Sequence, residues 1–167
     1  MVGTLALFIF PLLMAYAASS DMLTMRIANW LVLALVAAYV VLALVAQVPL
    51  VEIGISAAFA VAVLVIAFAF FAFGWIGGGD AKLVSAITLW VGMGLALPYL
   101  IYAALLGGAL TMLLLVVRRY PLPLMLAGVP WIERLHDNKT GVPYGIALAV
   151  AGLLVYPQTA IFAHYIG

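Results

Sequence analysis

The apolar runs of this chain are each close to twenty residues long, and only prolines, glycines and a few charged side chains interrupt them. That pattern leaves little choice of fold. About twenty consecutive apolar residues make a helix long enough to cross a bilayer. In lipid the backbone must satisfy its own hydrogen bonds, and a helix does so within one segment. Six basic and five acidic side chains serve all 167 residues. At 7% charged, against about 25% in a soluble domain, the chain cannot build a water-facing surface. The expectation is an all-α integral membrane protein, a single membrane domain over residues 1–167 embedded in the lipid bilayer.

The same counts exclude several classes of function. A net charge of +1 does not supply the basic patch that a nucleic-acid partner would want. Without cysteine there is no disulfide, no thiolate metal site and no redox chemistry on sulfur. His136 and His164 are too far apart in sequence to read as a ligand pair. No metal and no cofactor is expected. The first residues, ending Ala15-Tyr16-Ala17-Ala18-Ser19, resemble a signal-peptide cleavage site. A signal peptide opens with positive charge, and no Lys or Arg precedes Arg26. The run is therefore read as a retained first helix.

The punctuation predicts six transmembrane helices, at about 2–20, 30–48, 53–73, 81–97, 99–117 and 142–163. Pro11 lies inside the first and should kink it. Asn29 is placed to cap the second, and Pro49 ends it. Four glycines between Gly74 and Gly79 break the third from the fourth. Pro98 marks the turn between the fourth and fifth, and Arg118-Arg119 stops the fifth at an interface, against lipid headgroups. In the polar connection from Tyr120 to Gly141, Trp131 to His136 reads as a short helix on the membrane surface. Six spans alternate sides. All six basic residues, Arg26, Lys82, Arg118, Arg119, Arg134 and Lys139, then fall on or beside one set of connections. The positive-inside rule makes that side cytoplasmic and puts both termini on the extracytoplasmic side.

Against this background Asp80 stands out. The stretch Gly74-Trp75-Ile76-Gly77-Gly78-Gly79-Asp80-Ala81-Lys82 sets an acid and a base between two apolar runs, and an ionisable residue at a membrane boundary is expensive enough to be a functional candidate. Asp21 closes the first helix at the same depth. Two carboxylates so placed suit aspartic proteolysis. Like charges a few ångströms apart cannot both ionise, so the pair shares one proton. The ionised member takes a proton from water while the protonated member donates to the scissile carbonyl. Gly77, Gly78 and Gly79 would let an extended peptide approach Asp80 closely. Each residue also has a plainer reading. Asp80 can be a helix cap, Asp21 an interfacial loop acid, the glycines a loop, and Lys82 a snorkelling topology charge. The joint placement favours function, not any one residue.

The order of motifs resembles the type IV prepilin peptidases. Gly77-Gly78-Gly79-Asp80-Ala81-Lys82-Leu83 is similar to that family's Gly-x-Gly-Asp motif. Asp21 to Trp30 resembles its first aspartate segment, with Ala28 where Pro is usual. Val142-Pro143-Tyr144-Gly145-Ile146-Ala147 resembles the Pro-Tyr/Phe-Gly stretch that opens its last helix. The resemblance implies Asp21 and Asp80 as the catalytic pair, with Gly77, Gly78, Gly79 and Lys82 in the substrate loop. It implies a prepilin or pseudopilin substrate whose basic leader is cut at the cytoplasmic surface of the bacterial inner membrane, and contact with pilus assembly machinery. The chain lacks the paired-cysteine segment linked to N-methylation, and resembles the short form of tight-adherence (Flp-type) pilus systems. A transporter or channel subunit, with Asp21, Asp80 and Lys82 lining a polar path, is disfavoured by the almost wholly apolar second and third helices. A structural subunit of a pilus or secretion assembly is the other alternative.

Overall fold

The computed structural model describes residues 2–166. It is helical throughout, with no strand among the described residues. The elements are α1 (Val2–Thr24), α2 (Asn29–Val45), α3 (Leu50–Ala72), α4 (Gly78–Val117), α5 (Pro130–His136), α6 (Tyr144–Val155), a 3-10 turn (Tyr156–Gln158) and α7 (Ala160–Ile166). Among the described residues, three segments are long and apolar enough to cross a membrane: Leu7–Thr24, Leu50–Ala72 and Gly78–Val117. Asn29–Val45 and Tyr144–Gln158 are shorter apolar helices.

The helix boundaries differ from expectation in ways that matter for the site. Helix α1 runs one turn further than expected, to Thr24, so Asp21 stands on helix and not in a loop. Met25, at φ 54°, ends it. Asn29 is not the cap of α2; Ala28 is, without any side-chain bond. The largest correction concerns the fourth and fifth expected helices. No turn occurs at Pro98, which lies inside α4. The break is at Gly92, whose φ 69° and ψ 174° interrupt the helix. That backbone region is essentially restricted to glycine. The two arms, 78–91 and 93–117, fold back on each other, since Asp80 and Val84 share a cavity wall with Leu100, Ala103 and Ala104. Backbone conformation, not the missing N–H of proline, decided where the chain reverses. The last expected helix is likewise divided. Pro157 falls in the 3-10 turn, and Thr159, in extended conformation, restarts the helix by accepting a bond from the Phe162 N–H at 3.3 Å.

The core forms where the two arms of α4 meet α1, α2 and α6. Phe10, Tyr39, Trp90 and Tyr156 interlock there. Phe10 lies 4.9 Å from Trp90 and 4.7 Å from Tyr156 between ring centroids. Offset and edge-on aromatic pairs of this kind add stability beyond the area they bury. Buried polar groups find partners on neighbouring helices. The Trp90 indole donates to the Leu35 carbonyl at 3.0 Å, and the Ser85 hydroxyl donates to the Ala60 carbonyl at 2.7 Å. Helix α3 buries only Ala60 and Ala67. Small residues on one helix face let its backbone approach α4, as expected where lipid offers no hydrophobic drive for helix association, and its larger side chains such as Ile55 and Val65 face outward.

The connection after α4 is held by its own cations. Arg118 was expected to stop a helix against lipid headgroups. It does end α4, but its side chain turns inward, donating from Nε to the Leu135 carbonyl at 2.7 Å and from Nη2 to the Gly141 carbonyl at 2.9 Å. Arg134 on α5 donates to the Leu23 carbonyl at 2.6 Å. These bonds satisfy carbonyls that turns and helix ends leave unpaired, and they tie α5 beneath the end of α1 that carries Asp21. The short helix itself, Pro130–His136, appears where the sequence placed it.

Candidate active site

Three helices begin at the end of the bundle where α1 stops. They are α2 at Asn29, α4 at Gly78 and α6 at Tyr144. Helix starts present unpaired N–H groups and the positive end of the helix dipole, which favour a nearby carboxylate. Two carboxylates are there. Asp21, on the last turn of α1, is 5% exposed, and its Oδ2 accepts a hydrogen bond from the Gly145 N–H at 2.7 Å. Asp80, on the first turn of α4, is half-buried. The plainer reading of Asp80 as a helix cap is met only in part. Gly77 is the cap residue, and Asp80 sits three positions later with its carboxylate folded back against the Gly77 backbone. A Cβ on Gly77 would fall 2.9 Å from Asp80 Oδ2.

Both carboxylates line one cavity of about 650 Å³, with Ser20, Thr24, Asn29 and Gly77 to Gly79. The aspartates are thus brought together from separate parts of the chain. The 25–28 segment explains how. Its turn is fastened by the Ser20 hydroxyl, which donates to the Arg26 carbonyl at 2.9 Å. Ile27 is thereby wedged between the starts of α4 and α6. A Cβ on Gly79 would lie 3.1 Å from Ile27 Cβ, and one on Gly145 would lie 2.9 Å from Ile27 Cδ1. Glycine at both positions lets the two helix starts close on Ile27, and that spacing sets how Asp21 and Asp80 face the shared cavity. Gly78 packs against the Phe71 ring, 3.3 Å from where its Cβ would be. Gly78 and Gly79 therefore serve close packing as well as lining the cavity, while Gly77 leaves room for the Asp80 carboxylate.

Lys82 is not among the residues that line this cavity, but it bonds to one that is. Its Nζ donates to Asn29 Oδ1 at 2.9 Å, and its stem lies in a separate apolar depression with Val32, Val61 and Leu89. It latches α4 to the start of α2. Asn29, expected as a cap, is its acceptor. Arg26 is exposed at the mouth of the aspartate cavity. Among the described residues no group of three or more His, Asp or Glu side chains is placed to hold a metal ion.

Gly145 is the site residue that sequence reasoning did not single out. Its signal was the Pro143-Tyr144-Gly145 stretch, which marks a helix start but not what the glycine touches. An added Cβ would fall 2.8 Å from Asp21 Oδ2, so only glycine leaves room for the carboxylate to reach the N–H.

Comparison with curated proteins and with solved structures found no match. A family model does match, over residues 8–112, which span Asp21, the glycine-rich stretch and Asp80. On that match the chain belongs to the type IV leader peptidase family.

Proposed function

We propose that the chain is an aspartic endopeptidase that removes the basic leader of a prepilin or pseudopilin at the cytoplasmic face of the bacterial inner membrane. The observation that carries this reading is the shared cavity, in which Asp21 and Asp80 face one space at one end of the bundle. In the reaction, one carboxylate takes a proton from water. The water oxygen bonds to the scissile carbonyl carbon while the protonated partner donates to the carbonyl oxygen. Collapse of the tetrahedral adduct breaks the C–N bond, and the leaving amine takes a proton from the dyad. No covalent enzyme intermediate is needed.

Six spans fit this reading: α1, α2, α3, the two arms of α4, and α6 with the turn that follows. The six basic residues gather toward the aspartate end, and the positive-inside rule then makes that end cytoplasmic, with both termini outside. A leader rich in Lys and Arg would meet Asp21, Asp80 and the polar cavity from that side. The chain is read as a peptidase of the kind that serves Flp-type pilins.

The test is separate substitution of Asp21→Asn and Asp80→Asn in purified protein, assayed on a prepilin with a basic leader. Each variant should lose cleavage while keeping the wild-type melting profile. Normal processing by either variant removes the dyad assignment.

A further inference from the structure

We propose that the loop between α4 and α5 is a second membrane contact. Leu124 and Met125 anchor it in the boundary between lipid headgroups and acyl chains at the aspartate end of the bundle, and acyl chains fill the apolar groove behind it. The proposal does not depend on the peptidase reading.

The loop is too apolar to face water. From Tyr120 to Ile132 no side chain is charged. Leu124 and Met125, at the tip, are 92% and 94% exposed, and Tyr120 is exposed beside them. Contiguous apolar surface of this kind marks an interaction site. Behind the tip, between the last turns of α4 and α5, is a groove of about 420 Å³. Leu114, Val117, Leu126, Ile132 and Leu135 are on its walls, which are apolar apart from Tyr120 and His136. A held water needs several polar partners, and these walls offer few. An acyl chain needs none.

Position decides the occupant. The apolar segment Gly78–Val117 ends directly before the loop, and Arg118 and Arg119 follow it, so the loop starts at headgroup depth. Tyr120 and Trp131 stand at its two ends, and such amphipathic rings favour that depth. Arg119 is exposed, where it meets anionic headgroups. The backbone is suited to the same level. Irregular backbone cannot lie deep in hydrocarbon, because unpaired N–H groups are costly there. Pro121, Pro123 and Pro130 have no N–H to pair. The Pro123 carbonyl accepts from the Leu126 N–H at 2.9 Å and the Ala127 N–H at 3.2 Å. Few donors are left, and at the boundary water and headgroups reach them.

The contact bears on the candidate site through α5. The Gly128 N–H donates to Glu133 Oε1 at 2.7 Å and fastens the loop to that helix. Arg134 of α5 donates to the Leu23 carbonyl, on the last turn of α1, which also carries Asp21. Leaflet, loop, α5 and α1 thus form one chain of contacts, and it fixes the depth at which the aspartate cavity opens.

The chain has no cysteine, so a single introduced one takes a unique label. Leu124→Cys, Met125→Cys and, as the reference in the exposed turn after α5, Asn138→Cys each carry a nitroxide. The purified full-length protein is reconstituted in nanodiscs of phosphatidylethanolamine and phosphatidylglycerol, which leave both faces open. Relative accessibility to oxygen and to a water-soluble nickel chelate gives the depth of each label. Labels at 124 and 125 should lie about 5–10 Å below the phosphates, and the label at 138 in water. Nickel accessibility at 124 and 125 equal to that at 138 overturns the proposal. So does shielding from both reagents, which would mean that a second copy or another protein covers the loop. A nitroxide is itself apolar, so a label at Ala127→Cys checks the anchor with both native side chains present. That label should move from lipid to water when Leu124→Asp and Met125→Asp are added, and a label that does not move also overturns the proposal.

Discussion

Gly145→Ala is the substitution that most directly tests how the site is held. The added methyl would sit 2.8 Å from Asp21 Oδ2, 2.9 Å from Ile27 Cδ1 and 3.0 Å from Asp21 Cγ. All three atoms are in side chains, so the backbone can stay in place while the carboxylate retreats by roughly half an ångström to reach an ordinary contact. Two costs follow. Crowding of this kind destabilises by about 1–3 kcal/mol, at the low end here because the clashing groups can turn. The N–H to carboxylate bond at 2.7 Å is stretched or lost, and a hydrogen bond to a charged group contributes about 1.5–3 kcal/mol. For catalysis the displacement matters more, since a misplacement of ~1 Å can cost about 10²-fold in rate. The expected result is a fall of about 10–100-fold in kcat for leader cleavage, with a melting temperature only a few degrees lower. Gly108→Ala, where an added Cβ meets nothing within 4 Å, is the control and should change neither. Cleavage kinetics and thermal unfolding on the same detergent-solubilised samples give both numbers. A Gly145→Ala enzyme with wild-type kcat would show that this contact does not position Asp21.

Two further predictions concern stability. Gly92→Ala should destabilise by about 1–3 kcal/mol, because its backbone lies where side-chain-bearing residues are strained, whereas helical Gly94→Ala should be neutral or stabilising; equal melting temperatures for the two variants would mean that the chain does not reverse at Gly92. Tyr99 is fully buried and its hydroxyl has no hydrogen-bond partner among the described residues, so Tyr99→Phe should gain up to about 1–3 kcal/mol, and a lower unfolding midpoint would reveal a partner for that hydroxyl.

Hydropathy alone pointed to a helical membrane protein, because unbroken apolar runs of about twenty residues match a spanning helix that satisfies its own backbone in lipid. The candidate carboxylates were equally legible. Asp21 and Asp80 are rare ionisable groups at the ends of apolar runs, and the glycines before Asp80 are visible as a helix break. Other features depended on contacts between distant segments, which periodicity does not encode. Pro98 looked like the reversal, but a proline can sit within a helix when neighbouring structure absorbs its missing bond. Gly92 turned the chain because its backbone adopts a conformation that glycine alone adopts freely, and nothing in its neighbours announces that. Lys82 and Arg118 read as topology charges, yet each found an acceptor more than fifteen residues away, Asn29 and Leu135. The sequence by itself determined which groups could do chemistry. Only the tertiary structure decided that Ile27 would wedge between Gly79 and Gly145, and that Gly145 would hold Asp21. The reason is steric: the space left by a missing side chain has meaning only once another part of the chain arrives to fill it.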